Sequence, residues 1–162
     1  MAGRGKQSAG LLVHRGTGAT LEVLLVHPGG PFWAKKDDGA WFIPKGEIEA
    51  EEEPLATARR EFREELGLPP PDGETLELGT VKNKGGKLIH AWALAGDLDL
   101  SGFQSNTFSL EWPPRSGKQQ EFPEVDRARY FGIEQALQKM HPAELPLLER
   151  LLQQLLPSDA PS

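Results

Sequence analysis

The chain has 162 residues, and its hydrophobic content of 38% is enough for one domain with a single core of ordinary size. It contains no cysteine, which excludes a disulfide framework, a thiol nucleophile and a Cys-ligated zinc site, and which fits a reducing compartment. A net charge of −6 argues against stable nucleic-acid binding, because that function needs a basic surface.

The first part of the chain predicts two strands followed by a loop. Residues 8–14 and 21–27 are largely apolar runs, and the turn between them contains two glycines. These glycines do not indicate a dinucleotide-binding loop, since the third glycine and the following helix are missing. Residues 28–40 are rich in Gly, Pro and Lys and predict a loop that leads into a short strand at 40–43.

Residues 46–68 read GEIEAEEEPLATARREFREELGL and predict a loop, a helix and a helix stop. The loop part, 43–49, has too little periodicity for a helix and carries Gly46 where the backbone must bend close to a ligand. Pro54 suits the first turn of the helix, and Gly67 suits its left-handed end. An apolar stripe predicts that one face of this helix packs against the core, and it consists of Leu55, Ala58, Phe62 and Leu66.

Another surface of the same helix carries three carboxylates. Glu61 lies beside Glu64 and Glu65 at the i+3 and i+4 positions, so that like charges crowd together. The segment 46–68 contains eight Glu and three Arg, a balance of −5 against −6 for the whole chain. Grouped carboxylate oxygens are most comfortable around a hard cation such as Mg²⁺ or Mn²⁺. The spacing is therefore typical of a metal site.

The remainder of the chain predicts more strands and two closing helices. Strands are expected at residues 75–83, 87–98, 105–110 and 127–132, and a loop is expected at 111–117. Residues 133–140 and 143–155 predict two helices separated by Pro142. A leucine stripe on the second helix indicates core packing or a dimer face.

The spacing of nine elements in residues 46–68 resembles the Nudix box, the signature of the Nudix hydrolases. The shared pattern is Gly, five residues, Glu, seven residues, Arg-Glu, an apolar residue, any residue, Glu-Glu, any residue, Gly and an apolar residue. The chain matches it with Gly46, Glu52, Arg60, Glu61, Phe62, Glu64, Glu65, Gly67 and Leu68. The resemblance implies Mg²⁺-dependent cleavage of a diphosphate linkage. It also implies an α/β fold, the α/β/α sandwich of the Nudix fold, with a mixed β-sheet between helical layers.

The resemblance implies a role for each of these charged residues. The expected metal ligands are Glu61, Glu64, Glu65 and the carbonyl oxygen of Gly46. The expected metal is Mg²⁺, with Mn²⁺ as the alternative. Glu52 and Arg60 are expected to brace the loop against the helix through a charge-assisted hydrogen bond, and they complete the catalytic set with Glu61 and Glu64.

A general base must take a proton from the attacking water, and members of the family draw it from the box or from a later loop. Glu61 and Glu64 are the candidates within the box. Glu121 and Glu124, in the polar segment 119–126, are the candidates outside it. The sequence leaves this choice open.

Two kinds of side chain are candidates for direct contact with the substrate. Lys45 precedes the first glycine of the box and could meet a phosphate, and further lysines that could help are Lys35, Lys36, Lys82 and Lys84. Trp112, in a Pro-flanked loop, is expected to be partly exposed and offers a ring on which a base could stack.

The entry to the box, Pro44-Lys45-Gly46, resembles that of Nudix enzymes that cleave diadenosine tetraphosphate and diphosphoinositol polyphosphates. Because the lysine adds a cation beside a long polyphosphate, we predict a bis(5'-nucleosyl)-tetraphosphatase-like enzyme that acts on a dinucleoside polyphosphate, with a nucleoside triphosphate as the second choice. The alternatives are a diphosphoinositol polyphosphate or ADP-ribose hydrolase, and a Nudix module that binds a nucleotide without cutting it.

We expect one domain at residues 8–155, with flexible tails at 1–7 and 157–162. The apolar stretches are too short to span a bilayer, and the first residues lack the apolar run of a signal peptide. The protein is therefore expected to be cytoplasmic, without a membrane partner. Its expected partners are small nucleotides or polyphosphates, and we expect a monomer or a homodimer.

Overall fold

A computed structural model of the protein describes residues 7–155 as eight strands, three α-helices and short connecting turns. The strands are β1 (Ser8–Arg15), β2 (Glu22–Pro28), β3 (Lys45–Glu47), β4 (Thr75–Lys82), β5 (Leu88–Ala95), β6 (Thr107–Glu111), β7 (Gln119–Pro123) and β8 (Val125–Gly132). The helices are α1 (Pro54–Leu66), α2 (Ile133–Lys139) and α3 (Leu145–Leu155).

Six of the strands form one mixed sheet. Its order is β4-β5-β1-β2-β8, and β3 pairs with the start of β1. β1 runs parallel to β5, whereas the pairs β1–β2, β1–β3, β2–β8 and β4–β5 are antiparallel. The other two strands, β6 and β7, form a separate antiparallel hairpin.

Both faces of the sheet are covered by helices, because the central strands send alternate side chains into two cores. Leu11 and Leu24 belong to the core on the side of α1, and Leu12 and Leu25 belong to the core on the side of α2 and α3. All four side chains are fully buried. The predicted α/β/α sandwich with a mixed sheet is therefore confirmed.

Helix α1 begins and ends at the predicted residues. Pro54 occupies its first turn, and Gly67 ends it with a φ of 69°, where its N–H donates to the carbonyl of Arg63 at 2.8 Å. A side chain at Gly67 would also collide with the backbone of Gln104, so glycine is required there for two reasons. The side chains of Ala58, Phe62 and Leu66 are fully buried, as the apolar stripe predicts.

Three segments differ from the prediction. Lys45–Glu47, expected to be loop, forms β3 because it finds a partner in β1, with Gly46 opposite Ala9. Residues 40–43 form isolated bridges rather than a strand, through Phe42 to Val26 and Trp41 to Met140. Gln119–Pro123, for which no strand was predicted, forms β7 by pairing with β6. Its residues are mostly polar and exposed, so the sequence lacks the apolar alternation that would indicate a strand.

The predicted tails lie outside the described residues, except for Gln7. The carbonyl of Gln7 accepts a hydrogen bond from the N–H of Ile48 at 2.8 Å, which ties the start of β1 to the segment after β3. Within residues 7–155, no helix is long and apolar enough to cross a membrane.

Candidate active site

Arg60 binds the loop before α1 to the helix itself. Its Nε donates to Glu52 Oε2 at 2.8 Å, and its Nη2 donates to Glu52 Oε1 at 3.0 Å, a bidentate pair. This contact holds the pKa of Glu52 at about 2. The Glu52 carboxylate also accepts the N–H of Glu49 at 3.2 Å, so the pair orders the loop backbone as well.

The same guanidinium group holds two further carboxylates. Arg60 Nη1 donates to Glu61 Oε2 at 2.8 Å and to Glu64 Oε2 at 2.7 Å. Its hydrogen bond to Glu52, with the neighbouring negative charges, raises the pKa of Arg60 above its usual range. Arg60 therefore gathers three of the predicted site residues around one positive charge.

Gly46 allows strand β3 to lie directly against Glu61. A β-carbon built at position 46 would overlap the Glu61 carboxyl group. Glycine at this position is therefore required for close approach rather than for an unusual φ.

Burial changes the ionisation of two box carboxylates. Desolvation raises the pKa of Glu65 to about 8, and the positive charge of Lys45 opposes that shift. Glu65 Oε1 accepts the N–H of Lys45 at 3.3 Å. Desolvation, with repulsion from Glu64, also raises the pKa of Glu61. The raised pKa favours the protonated form of Glu65 near neutral pH, and a bound cation would favour loss of that proton.

The two later candidates for the general base have different positions. Glu124, between β7 and β8, lines a cavity together with Gly46 and Glu65. Desolvation and repulsion from Glu64 raise the pKa of Glu124. Both residues are exposed, but Glu121 lies in the middle of β7 and is not among the residues that line this cavity.

Lys45 is paired with a residue that the sequence did not single out. Its Nζ lies 2.8 Å from Glu144 Oε2 and 4.5 Å from the centre of the Phe42 ring. Glu144 is 1% exposed, and its Oε1 accepts the N–H of Ile43 at 2.9 Å. Glu144 therefore anchors the entry to β3, and no local pattern reveals this, since it stands 101 positions from Ile43.

A cavity of about 310 Å³, here called the proximal cavity, lies in front of these residues. One wall carries polar groups from Gly46, Glu65 and Glu124, and another carries the rings of Trp33 and Phe42. Those rings meet edge to face with centroids 5.4 Å apart.

The predicted stacking residue, Trp112, lies elsewhere. Its ring is half-buried and contacts Phe32 edge to face at 5.5 Å, and it is not among the residues that line the proximal cavity. The exposure of Trp112 matches the expectation, but its contacts do not bring it to the box carboxylates. Trp33 and Phe42 occupy the position beside the box instead.

The side chains and the backbone carbonyl at this site are of the types that bind a divalent cation. Carboxylate and carbonyl oxygens are hard ligands, and the pKa values of Glu61, Glu65 and Glu124 are each raised in part by repulsion from another of these carboxylates. Within residues 7–155, no three acidic or histidine side chains already stand in positions that could hold a metal ion. Glu61 and Glu64 each accept a hydrogen bond from Arg60 Nη1, so a cation bound by both carboxylates would replace those contacts.

Comparison with known proteins agrees with this arrangement. A family model described as NUDIX domain matches residues 5–151. The structure of a C. elegans Ap4A hydrolase binary complex aligns with a TM-score of 0.65 at 21% identity, over 92% of this chain and 98% of that one. The NUDIX domain of Shewanella oneidensis NrtR, cocrystallised with ADP ribose, aligns with a TM-score of 0.63 at 19% identity, over 96% and 92%.

A Nudix hydrolase from M. smegmatis, RenU, aligns with a TM-score of 0.57 at 23% identity, over 96% of this chain and 89% of that one. No curated protein matches the chain. At these identities the structural likenesses show the fold.

Proposed function

Since the chain belongs to the Nudix family and is a Nudix pyrophosphohydrolase, we propose that it hydrolyses a diphosphate linkage in a dinucleoside polyphosphate, with Mg²⁺ as its metal. The observation that carries this proposal is the proximal cavity. There Gly46, Glu65 and Glu124 form a wall suited to a metal and its phosphates, and Trp33 and Phe42 offer aromatic faces for a base.

The metal would be held by Glu61, Glu64, Glu65 and the carbonyl oxygen of Gly46. Bound Mg²⁺ screens the charge of a diphosphate and lowers the pKa of a coordinated water. Arg60 holds the Glu61 and Glu64 carboxylates together, and each of them would exchange its hydrogen bond from Arg60 for the metal.

Glu124 accepts the proton of the attacking water in this proposal. Its backbone is fixed on both sides, since its N–H donates to the carbonyl of Asn106 at 2.8 Å and its carbonyl accepts the N–H of Gly29 at 3.0 Å. Partial desolvation and repulsion from Glu64 raise the pKa of Glu124, which makes its carboxylate a better proton acceptor. Glu121 lacks this placement.

The two glutamates provide a matched test of the base. Glu124→Gln is expected to lower kcat by about 100-fold or more, the usual contribution of a general base, whereas Glu121→Gln changes it by less than about twofold. Equal effects of the two substitutions on kcat would exclude Glu124 as the base.

The choice of a dinucleoside polyphosphate rests on Lys45 and on the size of the cleft. Lys45 keeps a cation at the edge of the proximal cavity, although its pairing with Glu144 reduces the charge it presents. A nucleoside triphosphate fits the same wall and remains the second candidate. ADP-ribose and diphosphoinositol polyphosphates are the further alternatives.

A substrate panel tests the proposed function. We expect Mg²⁺-dependent hydrolysis with the highest kcat/KM for diadenosine tetraphosphate among diadenosine tetraphosphate, ATP, ADP-ribose and a diphosphoinositol polyphosphate. A higher kcat/KM for one of the other compounds would replace the proposed substrate. If none of them is cleaved, the result would favour the alternative hypothesis that the protein binds a nucleotide without cutting it.

A further inference from the structure

The proximal cavity adjoins a second cavity, which the proposed reaction does not use. This distal cavity has a volume of about 220 Å³ and shares Trp33, Phe42 and Lys45 with the proximal one. The shared residues place the distal cavity next to the cavity that Glu65 lines, within reach of a ligand longer than one nucleotide.

The far wall of the distal cavity carries cations. Lys84 lines it, and Lys84 and Lys82 both line a shallower adjoining cavity of about 340 Å³. Both lysines are exposed, and in the part of the chain that the structure describes neither has an ion-pair partner. Lys45, by contrast, is paired with the buried Glu144. The two β4–β5 lysines thus present more available charge to an anion than Lys45 does.

The turn that carries Lys84 is held in one shape. Asn83 Oδ1 accepts the N–H of Lys87 at 2.8 Å, and the Asn83 carbonyl accepts the N–H of Gly86 at 2.9 Å. The Asn83 N–H donates to the Lys87 carbonyl at 2.9 Å. The backbone position from which Lys84 extends is therefore fixed, and only the side chain must be ordered when an anion binds.

His141 supplies the opposite side of the distal cavity. Its Nδ1 accepts the N–H of Ala143 at 3.1 Å, so the proton of the neutral ring is on Nε2, which is then a donor. The ring stacks on Phe42 with centroids 5.0 Å apart and an interplanar angle of 22°. The main-chain N–H of His141 donates to the Trp41 carbonyl at 2.9 Å, which fixes the ring relative to the shared wall.

We propose that the distal cavity binds the second nucleotide of a dinucleoside polyphosphate, with its base or ribose beside His141 and its phosphate between Lys84 and Lys82, where the adjoining cavity begins. This inference rests on the proposed function for the chemistry of the ligand. A nucleoside triphosphate fills the proximal cavity and leaves the distal one empty. The distal cavity is thus the feature that distinguishes the two kinds of substrate.

The test is equilibrium binding by calorimetry in EDTA, where the metal-dependent reaction is blocked. The wild type is expected to bind diadenosine tetraphosphate about tenfold more tightly than ATP, the effect of a few charge-assisted contacts. The double variant Lys82→Ala with Lys84→Ala should lose this advantage and keep its ATP affinity within about twofold. Lys118→Ala is the matched control, because it removes an exposed lysine that lines neither cavity.

A third variant tests the ring. His141→Asn keeps an acceptor for the N–H of Ala143, since Asn is also a good capping residue, but removes the Nε2 donor and the stacking face. Its affinity for diadenosine tetraphosphate should fall several-fold while its ATP affinity does not change.

Two results would overturn the inference. One is a wild type that binds diadenosine tetraphosphate no more tightly than ATP. The other is an equal loss of affinity for both ligands in the lysine variant, which would mean that the lysines act through their long-range field. Failure of the proposed function has a different signature, since the wild type with Mg²⁺ present would then cleave diadenosine tetraphosphate less efficiently than ATP or not at all, whatever the binding result.

Discussion

Replacing Glu65 by Gln is expected to stabilise the metal-free protein and to weaken the metal binding that we propose for Glu65. The pKa of Glu65 is about 8 in the folded chain, against 4.5 for an exposed glutamate. Below pH 4.5 the carboxyl group is protonated in both the folded and the unfolded state, so its ionisation does not reduce the free energy of unfolding. As the pH rises from 4.5 to 8, the unfolded state releases the proton and the folded state does not. The free energy of unfolding therefore falls over that window.

The size of this effect follows from the pKa difference. At about 1.4 kcal/mol per pH unit, the 2.5 units between 4.5 and pH 7 give roughly 3 kcal/mol. Glu65 borders an open cavity, and water there reduces the penalty, so we expect about 1–3 kcal/mol. Gln has the shape of protonated Glu and cannot ionise in the unfolded state.

The assay is thermal unfolding in EDTA at pH 4 and pH 7. Glu65→Gln should raise Tm by about 3–10 °C at pH 7, since 1 kcal/mol shifts the Tm of a domain of this size by about 2–4 °C, and by much less at pH 4. Added Mg²⁺ should raise the Tm of the wild type and not that of the variant. The exposed Glu53→Gln is the control and should show neither effect. A Tm of Glu65→Gln at or below that of the wild type at pH 7 would mean that ionisation of Glu65 does not destabilise the folded protein.

Three further substitutions test individual contacts. Gly46→Ala places a β-carbon against the Glu61 carboxyl group, which must shift. Because the Glu61 side chain is flexible, we expect the free energy of unfolding in urea to fall by less than about 1 kcal/mol, while kcat falls at least about tenfold. Arg60→Lys loses the forked hydrogen bonds and should cost about 1–2 kcal/mol in the same assay, and an unchanged midpoint would mean that the brace does not stabilise the fold. Glu144→Gln removes the charge opposite Lys45 in a buried position and should also cost about 1–2 kcal/mol, while a more stable variant would contradict this assignment.

The local parts of the molecule could be predicted from the sequence. Helix α1 follows from its apolar period, with Pro54 at the start and Gly67 at the end, all within one short segment. The brace between Glu52 and Arg60, which the family resemblance implied, is also local, because the two residues are eight positions apart. Such features depend on neighbours along the chain, which is why a pattern reveals them.

The other wall of the site depends on contacts between distant segments. Phe42 finds His141 only through the fold, and Glu144 reaches Ile43 across 101 positions. The sequence does not distinguish Glu121 from Glu124. Because β7 ends at Pro123, Glu121 lies within the strand, whereas Glu124 follows it and lines the proximal cavity. The roles of the box carboxylates in metal binding stay predictions.

The most direct measurement is the initial rate of diphosphate hydrolysis against Mg²⁺ concentration, for the wild type, Glu64→Gln and Glu53→Gln, with the compound from the panel that the wild type cleaves best. We expect Glu53→Gln to match the wild type and Glu64→Gln to lower the rate by about 100-fold or more at every Mg²⁺ concentration. A Glu64→Gln variant that keeps the Mg²⁺-dependent rate within about twofold would contradict the assignment of the metal site to the Nudix box.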